Sequence, residues 1–237
     1  MTSTYRASSR TDPDRERELA AGLERARGQI AEACAAAGRS PADVRLIAVG
    51  KTFPAADAAS VVRAGQTDLG ENKAQELAPK AEALREQGLE PTWHFIGQLQ
   101  RNKVRQVLAS ASWIHSVDRT SLVDAIARAA ERPVNVCLQV DLGADPGRGG
   151  VSPDDLLPLA EHAAAQENLR VRGVMTVAPL DWDADRAFTL LAELSGKLRS
   201  VVPGATEISA GMSQDLSSAV AHGATMVRLG RTVFGAR

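Results

Sequence analysis

Short apolar runs recur along the chain, each followed by a stretch whose apolar residues return every three to four positions. The runs that read as strands are Val44–Gly50, Thr67–Gly70, Trp93–Gly97, Ser112–Ser116, Val134–Leu142, Val171–Val177, Ala205–Ser209 and Met226–Gly230. Helical spacing covers about Pro13–Ala37, which ends at Gly38, then Ala55–Ala64, Asn72–Gln87, Arg101–Ala109, Thr120–Ala130, Pro153–Gln166, Asp183–Ser200 and Gln214–His222. Regular alternation of this kind implies parallel strands joined by helical crossovers. Strands covered on both faces read as continuous apolar runs, as LIAV and VNVCLQV do. Eight such units in 237 residues predict an α/β fold, a (β/α)8 TIM barrel with an extra N-terminal helix. The leading helix would stand where a helix after the eighth strand is expected; a doubly wound open sheet is the main rival. Because no linker divides the chain, residues 13–237 read as a single domain behind a flexible leader, residues 1–12.

Composition narrows the chemistry. The formal net charge is −1 and there is no basic stripe, which argues against a nucleic-acid partner. The mixed charges from Arg15 to Arg27 read as the wet face of a helix. Cys34 and Cys137 form neither a metal pattern nor a disulfide framework, and Cys137, inside an apolar run, reads as a core thiol. No run is long enough to span a membrane, and the polar N-terminus has no signal-peptide core, so a cytoplasmic protein that acts on no membrane is expected. Lysine is scarce. Of 28 basic residues only Lys51, Lys73, Lys80, Lys103 and Lys197 are lysines, and the one tyrosine, Tyr5, lies in the leader.

In a parallel barrel the chemistry gathers where strands end. The first strand ends in LIAVGK, and alternation puts Ile47, Val49 and Lys51 on one face. Lys51 is either a solvated lysine or an amine desolvated at the barrel mouth, suited to Schiff-base chemistry. Gly70, Glu71 and Asn72 read as a turn into a helix, with the Asn72 amide free to meet a ligand. His94 shares a face with Ile96 and reads better as a satisfied core histidine than as a base. The glycine-rich loop after the fifth strand, with Arg148 its one cation, could serve as a lid. Met175 ends the sixth strand, where it would pack in the core or on a planar ligand. The segment Ser209, Gly211, Met212, Ser213 turns a strand into a helix, with Ser213 as an N-cap and Asp215 in the first turn. With Gly230 after the eighth strand, this makes a candidate phosphate cup. Arg228 alternates onto the face of Met226 and Gly230, and a buried cation there requires a ligand or a carboxylate partner. A ligand with both an aldehyde and a phosphate would bridge Lys51 and the cup; pyridoxal 5′-phosphate and an aldolase's phosphosugar both qualify.

The stretches LIAVGKTFPAADAASVVRAGQTDLGEN, WHFIGQLQRNKV, IHSVDR, LRVRGVMTV, ISAGMSQDL and GATMVRLGRTVFGAR, spread from about Val44 to Arg237, resemble the YggS/PROSC family of pyridoxal 5′-phosphate homeostasis proteins. That family's fold is similar to the barrel domain of alanine racemase. The resemblance implies that Lys51 stands where the family's lysine forms its internal aldimine and that Asn72 lies near the cofactor. It also implies that Ser209, Ser213, Gly230 and Arg231 belong to the phosphate cup, and Met175 and Arg228 lie near the pyridine ring. An arginine near the ring nitrogen disfavours its protonation and weakens the cofactor as an electron sink. The chain departs from the family at Lys73, where tyrosine is usual, at Arg231, where threonine or serine is usual, and at Arg148, where lysine is common.

Three functions follow as expectations. The first is a non-catalytic pyridoxal 5′-phosphate carrier, a monomer, with pyridoxal-dependent apoenzymes as candidate partners. The second is a racemase-like enzyme with weak one-base activity through Lys51; the two-base type would need a tyrosine opposite Lys51, against which the position of Tyr5 in the leader argues. The third is a cofactor-free Schiff-base aldolase.

Overall fold

A computed structural model describes residues 12–143 and 149–236. Eight parallel strands close into one barrel in sequential order: β1 (Arg45–Val49), β2 (Asp68–Glu71), β3 (Thr92–Phe95), β4 (Trp113–Val117), β5 (Val134–Gln139), β6 (Leu169–Met175), β7 (Glu207–Ser209) and β8 (Met226–Leu229). The open sheet is thereby excluded. Closure is made by β8 against β1, with Ile47 beside Arg228 and Ala48 beside Leu229.

The helices are α1 (Pro13–Ala36), α2 (Ala55–Arg63), α3 (Ala74–Arg85), α4 (Val104–Leu108), α5 (Thr120–Ala129), α6 (Leu156–Ala164), α7 (Ala184–Val201), α8 (Leu216–Ala221) and α9 (Arg231–Phe234). Pro13 opens α1, and the Asp12 side chain accepts the Asp14 N–H to cap it. The buried stripe of α1, Leu19, Leu23, Ala26, Ile30 and Ala33, recurs at helical spacing. That stripe packs between α2 and α8 and over the four-residue α9. The leading helix therefore closes the outer ring, as its position in the sequence predicts.

The differences from expectation lie at element ends. Asn72 precedes α3, which starts at Ala74 behind Lys73. Arg101–Lys103 is a separate 3₁₀ turn before α4. The fifth strand stops at Gln139 rather than Leu142, and α6 starts at Leu156 rather than Pro153. Before α6, Ser152 Oγ accepts the Asp155 N–H in a local turn, whereas beyond β5 the Val140 and Asp141 N–H groups donate to Met175 O and Val151 O. Tyr5 and Arg148 lie outside the described residues.

Two apolar cores result. The larger lies between the strands and the helices. The smaller, Ile47, Trp113, Cys137, Met175 and Met226, fills the barrel itself. Cys137 is a buried thiol whose pKa is pushed up by burial.

Candidate functional site

The C-terminal strand ends gather the expected residues at one mouth. Lys51 lies two residues past β1 in a tight turn. That turn is pinned on both sides. Lys80 Nζ donates to Gly50 O at 2.7 Å, and Glu76 Oε2 accepts the Thr52 N–H at 2.6 Å. Thr52 has φ +70°, a conformation that a β-branched residue adopts only under constraint. Lys51 itself is exposed. Of the two readings the sequence left open for Lys51, the exposed one is found: β1 has already ended, and the turn carries Lys51 out of the apolar barrel.

The buried lysine is Lys80 of α3. Its ammonium lies 2.5 Å from Glu71 Oε1 and 3.7 Å from Glu76. Burial pushes the Glu71 carboxyl above its ordinary range even with Lys80 beside it. Glu71 Oε2 and the neighbouring Asn72 Oδ1 are both buried without a hydrogen-bond partner. Asn72 is held there by close backbone packing. A Cβ at Gly97 would stand 2.1 Å from Asn72 O, so only glycine lets β3 pass the Asn72 turn.

After β7, Gly211 turns the chain with φ +90°. The helix start differs from the expected one. Asp215, not Ser213, holds the cap position of α8, and its side chain reaches back to the Met212 N–H at 2.6 Å. Ser213 instead hydrogen-bonds Thr232 at 3.2 Å between hydroxyl oxygens. Thr232 was not anticipated. It places a hydroxyl in the turn after β8, one residue beyond the position where Arg231 lacks one. Arg231 is exposed, and Gly230 packs so close to β1 that a Cβ would meet Val49 O at 3.2 Å. Met212 is exposed.

Met175 is buried in the inner core and also lines a cavity of about 350 Å³ at the mouth, with Ile96, Gln98, Gln139 and Asp141. Ser209 is fully buried, so its hydroxyl lies beneath the mouth rather than on its wall. Arg228 donates to Ser209 Oγ at 2.7 Å and to Thr176 O at 2.8 Å. Of the ligand or carboxylate expected as its partner, no carboxylate is in direct contact among the described residues; neutral oxygens of Ser209 and Thr176 take that place. Burial pushes the Arg228 pKa down to about 10, which still leaves it charged at neutral pH.

Beneath Arg228 the barrel contains His94 and His115, both fully buried. His94 is the satisfied core histidine its alternation predicts: it bonds Asp68 and His115, each at 2.9 Å. His115 was unmarked, although its alternation with Trp113 could have placed it inside. Burial pushes His94 down and His115 well down, so both rings are neutral when folded. An unfolded imidazole protonates near about pH 6.5. The unfolded chain therefore takes up protons that the folded chain refuses. Stability is full above that pH and falls below it, by at most about 1.4 kcal/mol per pH unit per ring. Urea midpoints between pH 7.5 and 5.5 should drop accordingly; a constant midpoint would count against neutral rings.

No helix among the described residues is long and apolar enough to cross a membrane. Among those residues no cluster of three or more metal-binding side chains occurs.

The chain matches the family described as alanine racemase, N-terminal domain, over residues 24–237. It is 39% identical to the pyridoxal phosphate homeostasis protein of Pseudomonas aeruginosa, covering 92% of this chain and 96% of the relative. It is 36% identical to the protein of the same description in Escherichia coli K12, covering 93% and 97%. Among solved structures, PipY of Synechococcus elongatus with PLP bound superposes with a TM-score of 0.77 at 37% identity, covering 87% of this chain and all of that one. The chain thus belongs to the pyridoxal phosphate homeostasis protein family, built on the alanine racemase N-terminal barrel.

Proposed function

We propose that this protein binds pyridoxal 5′-phosphate through Lys51 and holds it without turning it over, as a carrier in vitamin B6 homeostasis. One observation carries the reading. Closure of the barrel by β1 against β8 sets the Lys51 turn beside Gly230 and the start of α9. A lysine amine and the turn that this reading assigns to the phosphate, remote in sequence, thereby lie along one edge of the mouth.

The residues present fit the group. Pyridoxal 5′-phosphate supplies an aldehyde that an amine can mask reversibly, a planar ring and a phosphate. Lys51 supplies the amine. Ser213, Thr232 and the first N–H groups of α9, which have no acceptor within that helix and no side-chain cap, supply donors for the phosphate. Gly211 and Met212 shape that turn, and Arg231 can add a charge-assisted contact. The orphaned Asn72 Oδ1 is an acceptor for a ligand donor. Met175 offers an apolar surface to the ring. Arg228 keeps a positive charge at the mouth floor, which disfavours protonation of a ring nitrogen and so suits holding over catalysis. Ser209 serves this set from below, through Arg228.

Titrating the purified protein with pyridoxal 5′-phosphate should raise a visible absorption band that bleaches with borohydride. A colourless mixture would overturn the reading. Sustained racemisation of amino acids, lost in Lys51→Ala, would overturn its non-catalytic part.

A further inference from the structure

The polar groups inside the barrel form a continuous chain. It starts at Asp68, the first residue of β2, and climbs through His94 on β3 and His115 on β4 to Ser209, the last residue of β7. From there Arg228 on β8 continues to Thr176 O, just past β6. Every link is between 2.7 and 2.9 Å. The chain therefore crosses the barrel from the N-terminal ends of the strands to the mouth.

Donor and acceptor bookkeeping gives it one direction. An ionised Asp68 accepts only, so His94 donates from Nε2. A neutral His94 then accepts at Nδ1, which makes His115 donate from Nε2. His115 in turn accepts at Nδ1 from the Ser209 hydroxyl. Ser209 Oγ is left to accept from Arg228, as its geometry shows. Each polar atom has a partner and no link has two donors. The guanidinium, which has no carboxylate in direct contact, is tied by this route to a carboxylate at the other end of the barrel. The Asp68 carboxyl is held below its usual range: burial alone would raise it, and the hydrogen bonds of His94 and Thr67 outweigh that. The other charged or titratable groups around the chain are Arg45 near Asp68 and the rings, Glu207 near His94 and Cys137, and Asp215 and Cys137 near Arg228.

We propose that Asp68, His94, His115 and Ser209 are positioning residues, a one-way hydrogen-bonded strut that fixes the Arg228 guanidinium at the floor of the ligand site. Two of its five N–H groups are committed downward and sideways, to Ser209 and Thr176. In this proposal the remaining N–H groups are the donors that a ligand's acceptor, such as a pyridine nitrogen, would meet. The strut prevents the long side chain from swinging, so those donors are preorganised. The ligand end of this inference rests on the cofactor reading above; the strut itself does not.

The test has two independent arms. In the apoprotein, ¹⁵N imidazole spectra from pH 5.5 to 8 should show two buried neutral rings, each protonated on Nε2. A buried ring that titrates in this interval, or one protonated on Nδ1, overturns the strut. In Asp68→Asn the amide can present either its oxygen or its NH₂, so the direction is no longer forced, and an Nδ1–H tautomer of His94 should appear.

The second arm reads ligand release by stopped flow. Ser209→Ala removes a hydrogen bond to a charged group and should speed release of pyridoxal 5′-phosphate about tenfold. Asp68→Asn, at the far end of the barrel, should speed it by roughly threefold, a change that no direct contact could cause. Pyridoxal, which lacks the phosphate, should show the same factors. Unchanged release in both variants overturns the proposal, as does an effect confined to the phosphorylated ligand, which would place Ser209 in the phosphate cup. If Ser209→Ala does not fold, Asp68→Asn decides. A wild type that binds no pyridoxal 5′-phosphate sinks the cofactor reading, while the ring spectra still judge the strut.

Discussion

Lys51→Ala should abolish the visible band while leaving the fold intact. Lys51 is exposed and lies in a turn whose anchors are backbone groups of its neighbours, Gly50 O and the Thr52 N–H. Truncating the side chain leaves both anchors in place, and an exposed substitution of this kind changes stability by about 0.5 kcal/mol or less. What is lost is the amine. Binding then falls to the phosphate turn, Asn72 and Arg228 alone, an expected weakening of about two orders of magnitude, or roughly 2.7 kcal/mol. Equilibrium dialysis with the wild type and the variant measures it. Equal affinity, with the band retained, would show that another lysine does the work. Lys80 would be the first to examine, although its ammonium is already engaged by Glu71 and Gly50 O.

Lys80→Met should have the opposite profile, a large loss of stability. Removing the ammonium leaves Glu71, fully buried and with one oxygen already unpartnered, without its countercharge. Breaking a buried pair from one side costs about 3–5 kcal/mol. The raised Glu71 pKa points the same way: even with Lys80 present, burial makes the charged carboxylate costly. The double variant Glu71→Leu with Lys80→Met should regain most of the loss, because two apolar side chains replace the pair without leaving a buried charge. Urea unfolding of the three proteins checks this. A single variant as stable as wild type would remove the pair from the account of the fold. The double variant also separates stability from the site. It no longer ties Gly50 O to α3, so the Lys51 turn should loosen and cofactor release should quicken even where stability is restored.

The barrel was legible in the chain because parallel strands are covered on both faces. LIAV in β1 is buried throughout and VNVCL in β5 is buried at every position but Asn135, and the helices between them show their own period. Lys51, Gly230 and the turn from Ser209 to Ser213 were legible for the related reason that strand ends are where polar groups first become affordable. Lys80 was not legible. Its burial depends on Glu71 from β2 and on the end of β1, neither of which its helical neighbours reveal. Thr232 escaped attention because its partner, Ser213, lies 19 positions away in another turn.

The interior chain from Asp68 to Arg228 shows the division most clearly. The sequence by itself determined that the chain is eight βα units with parallel strands, that an amine follows the first strand, and that an arginine of the eighth shares a face with Met226 and Gly230. These are properties of local period and alternation, set by which side of one strand a residue faces. Only the tertiary structure decided what that arginine touches. Asp68, His94, His115 and Ser209 come from four different strands and meet because closure and strand stagger stack their inward faces in register. A hydrogen bond depends on a few tenths of an ångström between atoms distant in the chain. No local pattern encodes that distance, whereas the closed barrel sets it.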